Sequence, residues 1–313
     1  MDRRSNKLKA ILLIILLLFV GNFSCKKPDR IEPKSKSNSP PVITSVSIIP
    51  EKPIRDNDLN LNVQSQDPDQ DPVTHHFQWI KNDQEMIGEN GNVLRSGNFK
   101  KGDLIRVRVT PSDGKEDGKP FLSVAVKILN SQPVIQELRI EPRVASVRDN
   151  LKVYVKSFDA DGDFIYYDYK WEKNGVVMAE EKAEILERSR FKKGDSITVT
   201  VIPDDRETLG IPKKSDLTII SNSPPIIVSL PPTSIEGTKY LYQVKANDPD
   251  NDPITFILKS GPKGMGIDKN TGLLQWEIRK EDRGTYSIEI EASDSEGAKS
   301  LQKYTLTVEF RQS

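Results

Sequence analysis

Short runs in which apolar and polar residues alternate dominate the chain after residue 37. The clearest run follows the segment FKKGD at Phe99, where Ile105, Val107 and Val109 alternate with arginines. Because successive side chains of a β-strand point to opposite faces, this period of two predicts a strand with one buried and one solvated face. The same pattern recurs later, with apolar positions at Ile197, Val199, Val201, Ile288 and Ile290. No segment shows a sustained helical period, so the pattern predicts an all-β fold of antiparallel strands.

The residues that bound these runs support the same class. In the first third of the chain, five β-rich runs are separated by Pro, Gly, Asn and Asp, which favour turns. The predicted strands are residues 42–49, 59–65, 73–80, 104–110 and 121–129. The 21 prolines and 18 glycines among 313 residues agree with many short strands joined by tight turns.

An internal period organises the chain. The segments NSPP, NSQP and NSPP begin at Asn38, Asn130 and Asn222, at intervals of 92 residues. Trp79 and Trp171 are separated by the same interval, as are two copies of FKKGD. Units of about ninety residues match the size of a β-sandwich. The chain is predicted to begin with a signal (1–25) and a tether (26–37). Three tandem Ig-like sandwiches follow, which are called module 1 (38–130), module 2 (131–221) and module 3 (222–313).

The first 25 residues have the organisation of an export signal. A basic start precedes an apolar run at residues 10–20, which is too short to span a bilayer. Ser24 and Cys25, the single cysteine of the chain, follow this run. The arrangement resembles a bacterial lipoprotein signal, which implies lipidation of Cys25. Lys26, rather than Asp, follows the cysteine, and this resemblance implies sorting to the outer membrane of a Gram-negative bacterium. A plain secretory signal and an uncleaved anchor are the alternatives.

Charge adds two expectations. Residues 26–37 are charged and proline-rich with almost nothing to bury, so they predict a flexible tether. The chain carries 46 basic and 46 acidic residues, so nothing in this balance suggests a surface for nucleic acid. The expected membrane contact is the lipid on Cys25, and no nucleic-acid partner is expected.

Several residues resemble those of the immunoglobulin-like superfamily. Trp79 and Trp171 lie on predicted strands where such folds bury a tryptophan of strand C. In module 3, the segment DRGTYS at Asp282 resembles the D-x-G-x-Y tyrosine corner, with Tyr286 as its tyrosine. Ile288 stands where antibody domains carry their second cysteine, so the resemblance implies a core without a disulfide.

Module 3 carries a more specific resemblance. The segments YQVKANDPDNDPITF, SGPKGMGIDKNTGLLQW and YSIEIEASDSEG are similar to the Putative Ig and dystroglycan-type cadherin-like modules of bacterial surface proteins. The similarity covers most of residues 238–308. Modules 1 and 2 resemble cadherin-like or PKD-type sandwiches more loosely.

Three hexapeptides place carboxylates at alternate positions. These acidic motifs are DPDQDP at Asp67, DADGDF at Asp159 and DPDNDP at Asp248. An EF-hand is excluded because its loop needs glycine at the sixth position, where these motifs have proline or phenylalanine. Two interpretations remain open, namely a calcium site and a hydrated turn that Asp-Pro and Asp-Gly steps initiate.

The geometry of a sandwich favours a shared site. The B–C and F–G loops lie at one end of an Ig-type fold, so each motif is expected to meet a further aspartate near the junction with the preceding module. The segment ASDSEG resembles the calcium segment of cadherin-like domains, which implies a bridging calcium ion. The candidate ligands are Asp67, Asp69, Asp71, Asp113, Asp159, Asp161, Asp163, Asp205, Asp248, Asp250, Asp252 and Asp294.

Enzyme chemistry and sugar stacking receive little support. His75 and His76 are adjacent on a predicted strand, and His75 shares a face with Phe77 and Trp79, so a packed histidine is expected. In the segment FIYYDYKW, alternation leaves only Tyr166 facing out. FKKGD is predicted to be an ordinary hairpin turn. Counting acids does not exclude a carboxylate pair for glycoside hydrolysis.

The sequence predicts a non-enzymatic, exported and lipid-anchored cell-envelope protein that uses tandem Ig-like modules for adhesion or protein binding. Calcium is its candidate cofactor, and its partner is an unidentified protein or glycan. The alternatives are a glycan-binding surface protein, a periplasmic scaffold subunit of an envelope assembly, and a hydrolase.

Overall fold

The protein is represented by a computed structural model that describes residues 37–232, 235 and 238–309. The predicted signal segment with Cys25, and the predicted tether except its last residue, lie outside the described residues. The described chain consists of β-strands and loops with two short 3-10 turns, Arg188–Arg190 and Lys280–Asp282. Within these ranges, no helix has the length and apolar character of a membrane span. The predicted all-β class is confirmed.

Two antiparallel sheets form module 1. The strands are β1 (Val42–Ile49), β2 (Leu59–Gln66), β3 (Thr74–Lys81), β4 (Gln84–Glu85), β5 (Val93–Leu94), β6 (Leu104–Ser112), β7 (Phe121–Leu122) and β8 (Val126–Lys127). One sheet has the order β1-β2-β5, and the other has the order β4-β3-β6-β7 with β8 also paired to β6. The sheets enclose a core around Trp79.

Module 2 repeats this arrangement with one additional strand. Its strands are β9 (Val134–Glu141), β10 (Ala145–Ser146), β11 (Leu151–Phe158), β12 (Tyr166–Lys173), β13 (Val176–Val177), β14 (Ile185–Leu186), β15 (Ser196–Asp204), β16 (Lys213–Lys214) and β17 (Thr218–Ser221). The sheets are β14-β11-β9 and β10-β17-β15-β12-β13, with β16 also paired to β15. Strand β10 pairs with β17 in parallel, and the other pairs are antiparallel.

Module 3 has three sheets. Its strands are β18 (Ile226–Ile227), β19 (Lys239–Gln243), β20 (Ala246–Asn247), β21 (Thr255–Ser260), β22 (Gly266–Ile267), β23 (Leu273–Glu277), β24 (Gly284–Ser293) and β25 (Lys299–Val308). Their orders are β18-β20, β19-β23-β22 and β21-β24-β25. The buried apolar residues of the described chain form three clusters, and each cluster contains residues of one module only.

The alternating strands bury the faces that the sequence predicts. Ile105, Val107 and Val109 of β6 are fully buried, whereas Arg108 is exposed. The corresponding residues of β15 and β24 are also fully buried, namely Ile197, Val199, Val201, Ile288 and Ile290. Since Ile288 packs in the core of module 3, aliphatic contacts occupy the place of a disulfide there.

Two tryptophans form the centres of the first two cores. Trp79 and Trp171 are fully buried. Their indole Nε1–H groups donate hydrogen bonds to the carbonyl oxygens of Gly91 and Ala183, both at 2.9 Å. These bonds satisfy the polar atom of a ring that is otherwise surrounded by apolar side chains.

The tyrosine corner of module 3 is present. Tyr286 Oη donates a hydrogen bond to the carbonyl oxygen of Asp282 at 3.1 Å. The ring of Tyr286 also contacts Trp276 edge to face, with 5.3 Å between the ring centroids. The residue therefore ties the turn before β24 to the core.

One predicted strand is divided in two. Residues 121–129 form β7 and β8, which are separated by the buried Ser123. Ser123 Oγ accepts a hydrogen bond from the Val107 N–H at 3.1 Å, and Ser215 Oγ accepts the equivalent bond from Val199 in module 2. Because a side-chain oxygen replaces a backbone carbonyl in the ladder, regular pairing stops at the serine.

The prediction that FKKGD is a hairpin turn is wrong. This segment joins β5 to β6, which lie in different sheets, so it crosses from one sheet to the other. Asp103 holds the crossing, because its carboxylate accepts the Lys100 N–H at 2.9 Å and the Asn82 side-chain amide at 2.8 Å. The second copy has the same bonds around Asp195.

The solvated face of β24 is less exposed than alternation predicts. Glu291 is buried, because the side chains of Lys299 and Lys259 lie over it with Nζ–carboxylate distances of 2.8 Å and 3.8 Å. The hydrogen bond from Lys299 holds the pKa of Glu291 below its ordinary value. An ion pair thus allows a charged residue to occupy a covered position.

Candidate functional site at the module junctions

Each acidic motif is a turn that its first aspartate holds. Asp159 Oδ1 accepts hydrogen bonds from the backbone N–H groups of Asp161 at 2.8 Å and of Asp163 at 3.2 Å. Asp67 and Asp248 make the same bonds within their own motifs. Capping of a turn by an aspartate side chain accounts for the first carboxylate of each motif.

The second aspartate binds the segment that enters the module. Asp161 Oδ2 accepts the Ser131 N–H at 2.6 Å, and Asp250 Oδ2 accepts the Ser223 N–H at 2.6 Å. Asp69 makes the equivalent bond in module 1. Since these serines belong to the NSPP and NSQP segments, each motif lies at the entry end of its module.

The loop after the long central strand supplies the fourth aspartate. Asp205, in the loop after β15, accepts the Asn130 side-chain amide at 2.7 Å and the Thr208 N–H at 2.6 Å. Asp113 and Asp294 accept the equivalent asparagine amides at 2.8 Å and 2.7 Å. The two loops that the sequence predicts to share one end of the sandwich therefore meet there.

The third aspartate of module 2 binds a lysine from module 1. Lys101, in the FKKGD segment, donates from Nζ to Asp163 Oδ2 at 2.5 Å and to Glu207 Oε1 at 2.7 Å. The same ammonium group donates to Asn130 Oδ1 at 3.0 Å. Its three N–H donors thus have three oxygen acceptors from three different segments.

Lys193 repeats this arrangement between modules 2 and 3. Its Nζ donates to Asp252 Oδ2, to Glu296 Oε1 at 2.6 Å and to Asn222 Oδ1 at 3.2 Å. The Lys193 side chain is 24% exposed, so the contact is covered on most sides. Lys101 and Lys193 are called the junction lysines below.

Module 1 contains a lysine of its own at the corresponding place. Lys115 Nζ lies 2.6 Å from Asp71 Oδ2 and 3.5 Å from Asn38 Oδ1. In the 92-residue period, Lys115 occupies the position of Glu207. The third aspartate of every acidic motif therefore has an ammonium partner.

These contacts shift the pKa values of both junction lysines and of Asp113. Hydrogen bonds to Asp163 and Glu207 raise the pKa of Lys101, and Asp252 and Glu296 raise the pKa of Lys193. The Asn38 amide lowers the pKa of Asp113. Each group therefore stays charged over a wider range of pH than it does in water.

Some carboxylate oxygens of the motifs have no partner in the described chain. They are buried atoms of the first and second aspartates in modules 2 and 3, namely Asp159 Oδ2, Asp161 Oδ1, Asp248 Oδ2 and Asp250 Oδ1. The motif of module 1 contributes Asp67 Oδ2. A buried oxygen without a hydrogen bond is costly, so these atoms suit a bound cation or water.

The structure groups the candidate ligands differently in each module. One oxygen from each of Asp159, Asp161 and Asp163 lies within 4.8 Å of the others, and Asp205 is not in that group. In module 3 the same criterion joins Asp248 and Asp252 to Asp294. The described residues of module 1 form no such group.

The junction lysines are the functional residues that sequence reasoning missed. Their signal was the 92-residue period, which places both lysines at one position of FKKGD. Glu207 stands at the position of Lys115 in that period. A change of charge at a repeated position indicated an ionic role, but the partner of each lysine lies in another module.

Residues outside the junctions mostly lie where alternation predicts. His75 is half-buried, and its Nε2 lies 3.0 Å from Ser65 Oγ. Tyr167 and Tyr169 pack against the core of module 2, and Tyr166 is exposed.

An exposed aromatic pair begins at the last residue of the second acidic motif. Phe164 is 75% exposed and Tyr166 is 42% exposed, and their rings meet edge to face with centroids 5.0 Å apart. The guanidinium carbon of Arg206 lies 3.9 Å from the centroid of the Tyr166 ring. The outward surface is therefore larger than the single tyrosine that the sequence indicated.

Comparisons with known proteins concern the fold. Residues 224–309 match the family model described as Putative Ig domain. No curated protein sequence matches the chain.

Three similar solved structures consist of consecutive immunoglobulin or cadherin domains. Sidekick-1 immunoglobulin domains 1-5 are 13% identical over 87% of this chain and 60% of that one, with a TM-score of 0.30. The N-terminal eight Ig domains of Down Syndrome Cell Adhesion Molecule are 14% identical over 87% and 37%, with a TM-score of 0.39. Protocadherin Gamma B2 extracellular cadherin domains 3-6 are 11% identical over 86% and 77%, with a TM-score of 0.25.

This chain therefore spans 60% of the Sidekick-1 structure and a smaller share of the eight-domain structure. Module 3 matches the Putative Ig domain model, and the described chain has the architecture of tandem Ig-like β-sandwiches.

Proposed function

We propose that this protein is an exported, non-enzymatic binding or adhesion protein that presents its Ig-like modules outside the cytoplasm. The observation that carries this proposal is the series of three separate cores, joined end to end at repeated junctions. A series of this kind extends a binding surface away from an attachment point without enclosing a catalytic cavity.

The proposed attachment point is a lipid on Cys25, with the tether between the lipid and module 1. The single cysteine after an apolar run supports this proposal. The proposed location is the cell envelope of a Gram-negative bacterium, at the outer membrane. The partner there is a protein or a glycan, and the balanced charge of the chain disfavours nucleic acid.

Metabolic labelling tests the attachment. The wild-type chain is expected to incorporate a radioactive fatty acid and to sediment with membranes. Cys25→Ala removes the only thiol of the chain, so this variant is expected to remain unlabelled. Equal labelling of both proteins would contradict lipidation of Cys25.

Protease treatment of intact cells separates adhesion from a periplasmic role. An adhesion protein is cleaved in intact cells, whereas a periplasmic scaffold subunit is cleaved only after the outer membrane has been permeabilised. A cytoplasmic control protein must survive in the intact cells. Protection of the chain in intact cells would favour the scaffold alternative.

Glycan binding is a second candidate, and the exposed Phe164–Tyr166 pair favours it. The 75% exposed ring of Phe164 provides a rigid apolar surface that suits the face of a sugar ring, and Tyr166, with Arg206 over one face of its ring, lies beside it. Binding of envelope polysaccharides should weaken in Phe164→Ala and Tyr166→Ala. Phe121→Ala in module 1, at a residue that is 37% exposed, is the control and should bind as the wild type does.

Calcium binding is proposed for the two junctions with unpaired buried oxygens. Calcium prefers several carboxylate oxygens in an adaptable loop, and the unpaired oxygens of the first and second aspartates supply such ligands. When bound, the ion would add positive charge between loops that carry several carboxylates. The residues that would hold it are Asp159, Asp161 and Asp163 in module 2, and Asp248, Asp250, Asp252 and Asp294 in module 3.

Calorimetric titration of the full chain with calcium tests this part of the proposal. The expected Kd is about 0.1–1 mM, the range of extracellular calcium modules. Asp161→Asn combined with Asp250→Asn should abolish most of the heat, whereas the exposed Asp216→Asn should leave the trace unchanged. Identical traces for the double variant and the wild type would show that the motifs are turns that do not bind calcium.

A further inference from the structure

We propose that Lys101 and Lys193 fix each module on the next, and that they do so without a metal ion. Among the described residues, the hydrogen bonds and ion pairs that cross from module 1 to module 2 come from Lys101 Nζ and from the entry asparagine Asn130 at the module boundary, and every ion pair among them comes from Lys101. Every one that crosses from module 2 to module 3 comes from Lys193 Nζ. This inference does not depend on export, on the partner or on calcium.

Without such a tie, consecutive modules are expected to move. Core clusters do not cross the junctions, and no strand pairs with a strand of another module in the described chain. Relative motion is the default for domains that share little interface. One ammonium group at each junction is therefore in a position to decide the angle between two modules.

The acceptors make this contact stronger than an ordinary surface ion pair. An exposed pair contributes little, because water and salt screen it and because two long side chains lose freedom. Lys101 and Lys193 are only 26% and 24% exposed, and each meets two carboxylates and one amide oxygen. The three acceptors are the entry asparagine, the third aspartate and the glutamate of the loop after β15 or β24.

In the described part of module 1, a lysine of the module itself takes the place of a junction lysine. Its entry end has Lys115 in place of Glu207, and Lys115 binds Asp71 from within the module. This substitution both removes the glutamate acceptor and supplies an internal ammonium. An ammonium group thus lies at the third aspartate of all three motifs, which indicates that a positive charge is needed beside this carboxylate.

A fixed junction also fixes the shape of a cleft. A cleft of about 920 Å³ lies between modules 2 and 3, and Lys193 forms part of its wall. Arg148 and Arg188 line the side of module 2, and Asp248 and Asp250 line the side of module 3. Release of Lys193 would allow these two charged walls to separate.

Distances between two spin labels test the proposal on the full chain. Cys25→Ser removes the native thiol, and Val176→Cys and Leu241→Cys place one label on an exposed strand position of module 2 and one of module 3. Double electron–electron resonance is recorded in EDTA. Lys193→Met removes the ammonium group that binds module 3. The control, Lys192→Met, removes the ammonium group of the neighbouring exposed lysine, whose side chain makes no hydrogen bond among the described residues.

The expected result is a narrow distance distribution for the parent and for Lys192→Met, and a distribution about twofold broader for Lys193→Met. If Lys193→Met fails to fold, Glu296→Ala removes an acceptor through a side chain that is 54% exposed and should broaden the distribution in the same direction. Equal widths for the lysine variants would overturn the proposal. A parent distribution that is broad in EDTA and narrows only with calcium would also overturn it, because the metal would then be the fixing cation.

Discussion

Each carboxylate of a junction has a separate partner at the scale of single residues. In module 2, Asp159 caps the turn, Asp161 binds the entry backbone, Asp163 binds Lys101 and Asp205 binds the entry asparagine. Carboxylates about 4 Å apart repel each other by about 1 kcal/mol per pair even in water. N–H donors and one ammonium offset this repulsion, so the acids can cluster without leaving the turn.

The buried tryptophan of module 2 provides a residue-scale prediction. Trp171→Ala removes a fully buried ring and should lower the free energy of unfolding of module 2 by about 3–5 kcal/mol. Hydrogen exchange of the β12 and β15 amides measures this change locally. The control is Lys170→Ala on the exposed face of β12, which should change stability by less than about 0.5 kcal/mol. Equal effects of the two substitutions would contradict the assignment of Trp171 to the core.

The ion pair between Glu291 and Lys299 provides a prediction about pH. Because the folded state lowers the pKa of Glu291 from its ordinary value of 4.5, the pair contributes stability above that pH and loses it as pH falls through the lower folded value. Glu291→Gln should therefore flatten the acid side of the stability profile of module 3.

Hydrogen exchange in β24 and β25 at several pH values measures this effect. Lys299→Met removes the partner and should flatten the same part of the profile. A wild-type slope that survives both substitutions would show that other groups govern the acid sensitivity.

At the scale of elements, the FKKGD segment has two roles. Its aspartate ties the crossing between sheets to the turn after β3 or β12, through Asn82 in module 1 and Asn174 in module 2. The second lysine of the segment points away from that tie and reaches the following module. A rigid crossing thus positions the junction lysine, so that fewer side-chain conformations are lost when it binds.

A close approach between elements predicts the effect of one added methyl group. A Cβ at Gly118, in the loop after β6, would lie 1.9 Å from the carbonyl oxygen of Pro41 in the entry segment. Gly118→Ala should therefore destabilise module 1 by about 1–3 kcal/mol, because backbone must shift to make room. Urea unfolding, monitored by hydrogen exchange of the β1 and β6 amides, measures the change in stability.

Gly91→Ala is the matched control in the same module. A Cβ there would have its nearest neighbour at 3.6 Å, an ordinary contact. This variant should keep wild-type stability to within about 0.5 kcal/mol. A tolerant Gly118→Ala would show that the loop is free to move away from the entry segment.

At the scale of the whole molecule, the three cores predict independent unfolding. Since core clusters do not cross module boundaries in the described chain, destabilising one core should leave the others unchanged apart from the junction contacts. Trp171→Ala should move one calorimetric transition and leave the exchange protection of β24 and β25 within about 0.5 kcal/mol of wild type. A single transition that shifts as a whole would indicate one cooperative unit.

The sequence by itself determined the all-β class, the core-facing residues and the repeat. Ile105, Val107, Val109 and the two tryptophans could be assigned to cores because alternation is a local property of a strand. The meeting of the two loops at the entry end followed from the general geometry of a sandwich. The divided strand at Ser123 could not be predicted, because it depends on a hydroxyl that competes with a backbone carbonyl across the sheet.

Only the tertiary structure decided which groups meet at the junctions. Lys101 lies 62 residues before Asp163 and 106 residues before Glu207, and no local pattern reports contacts over such separations. The sequence placed acids at every second position, but their partners depend on how consecutive modules are oriented. That orientation sets the distance between a lysine and the carboxylates of the next module, and electrostatic contacts depend steeply on that distance.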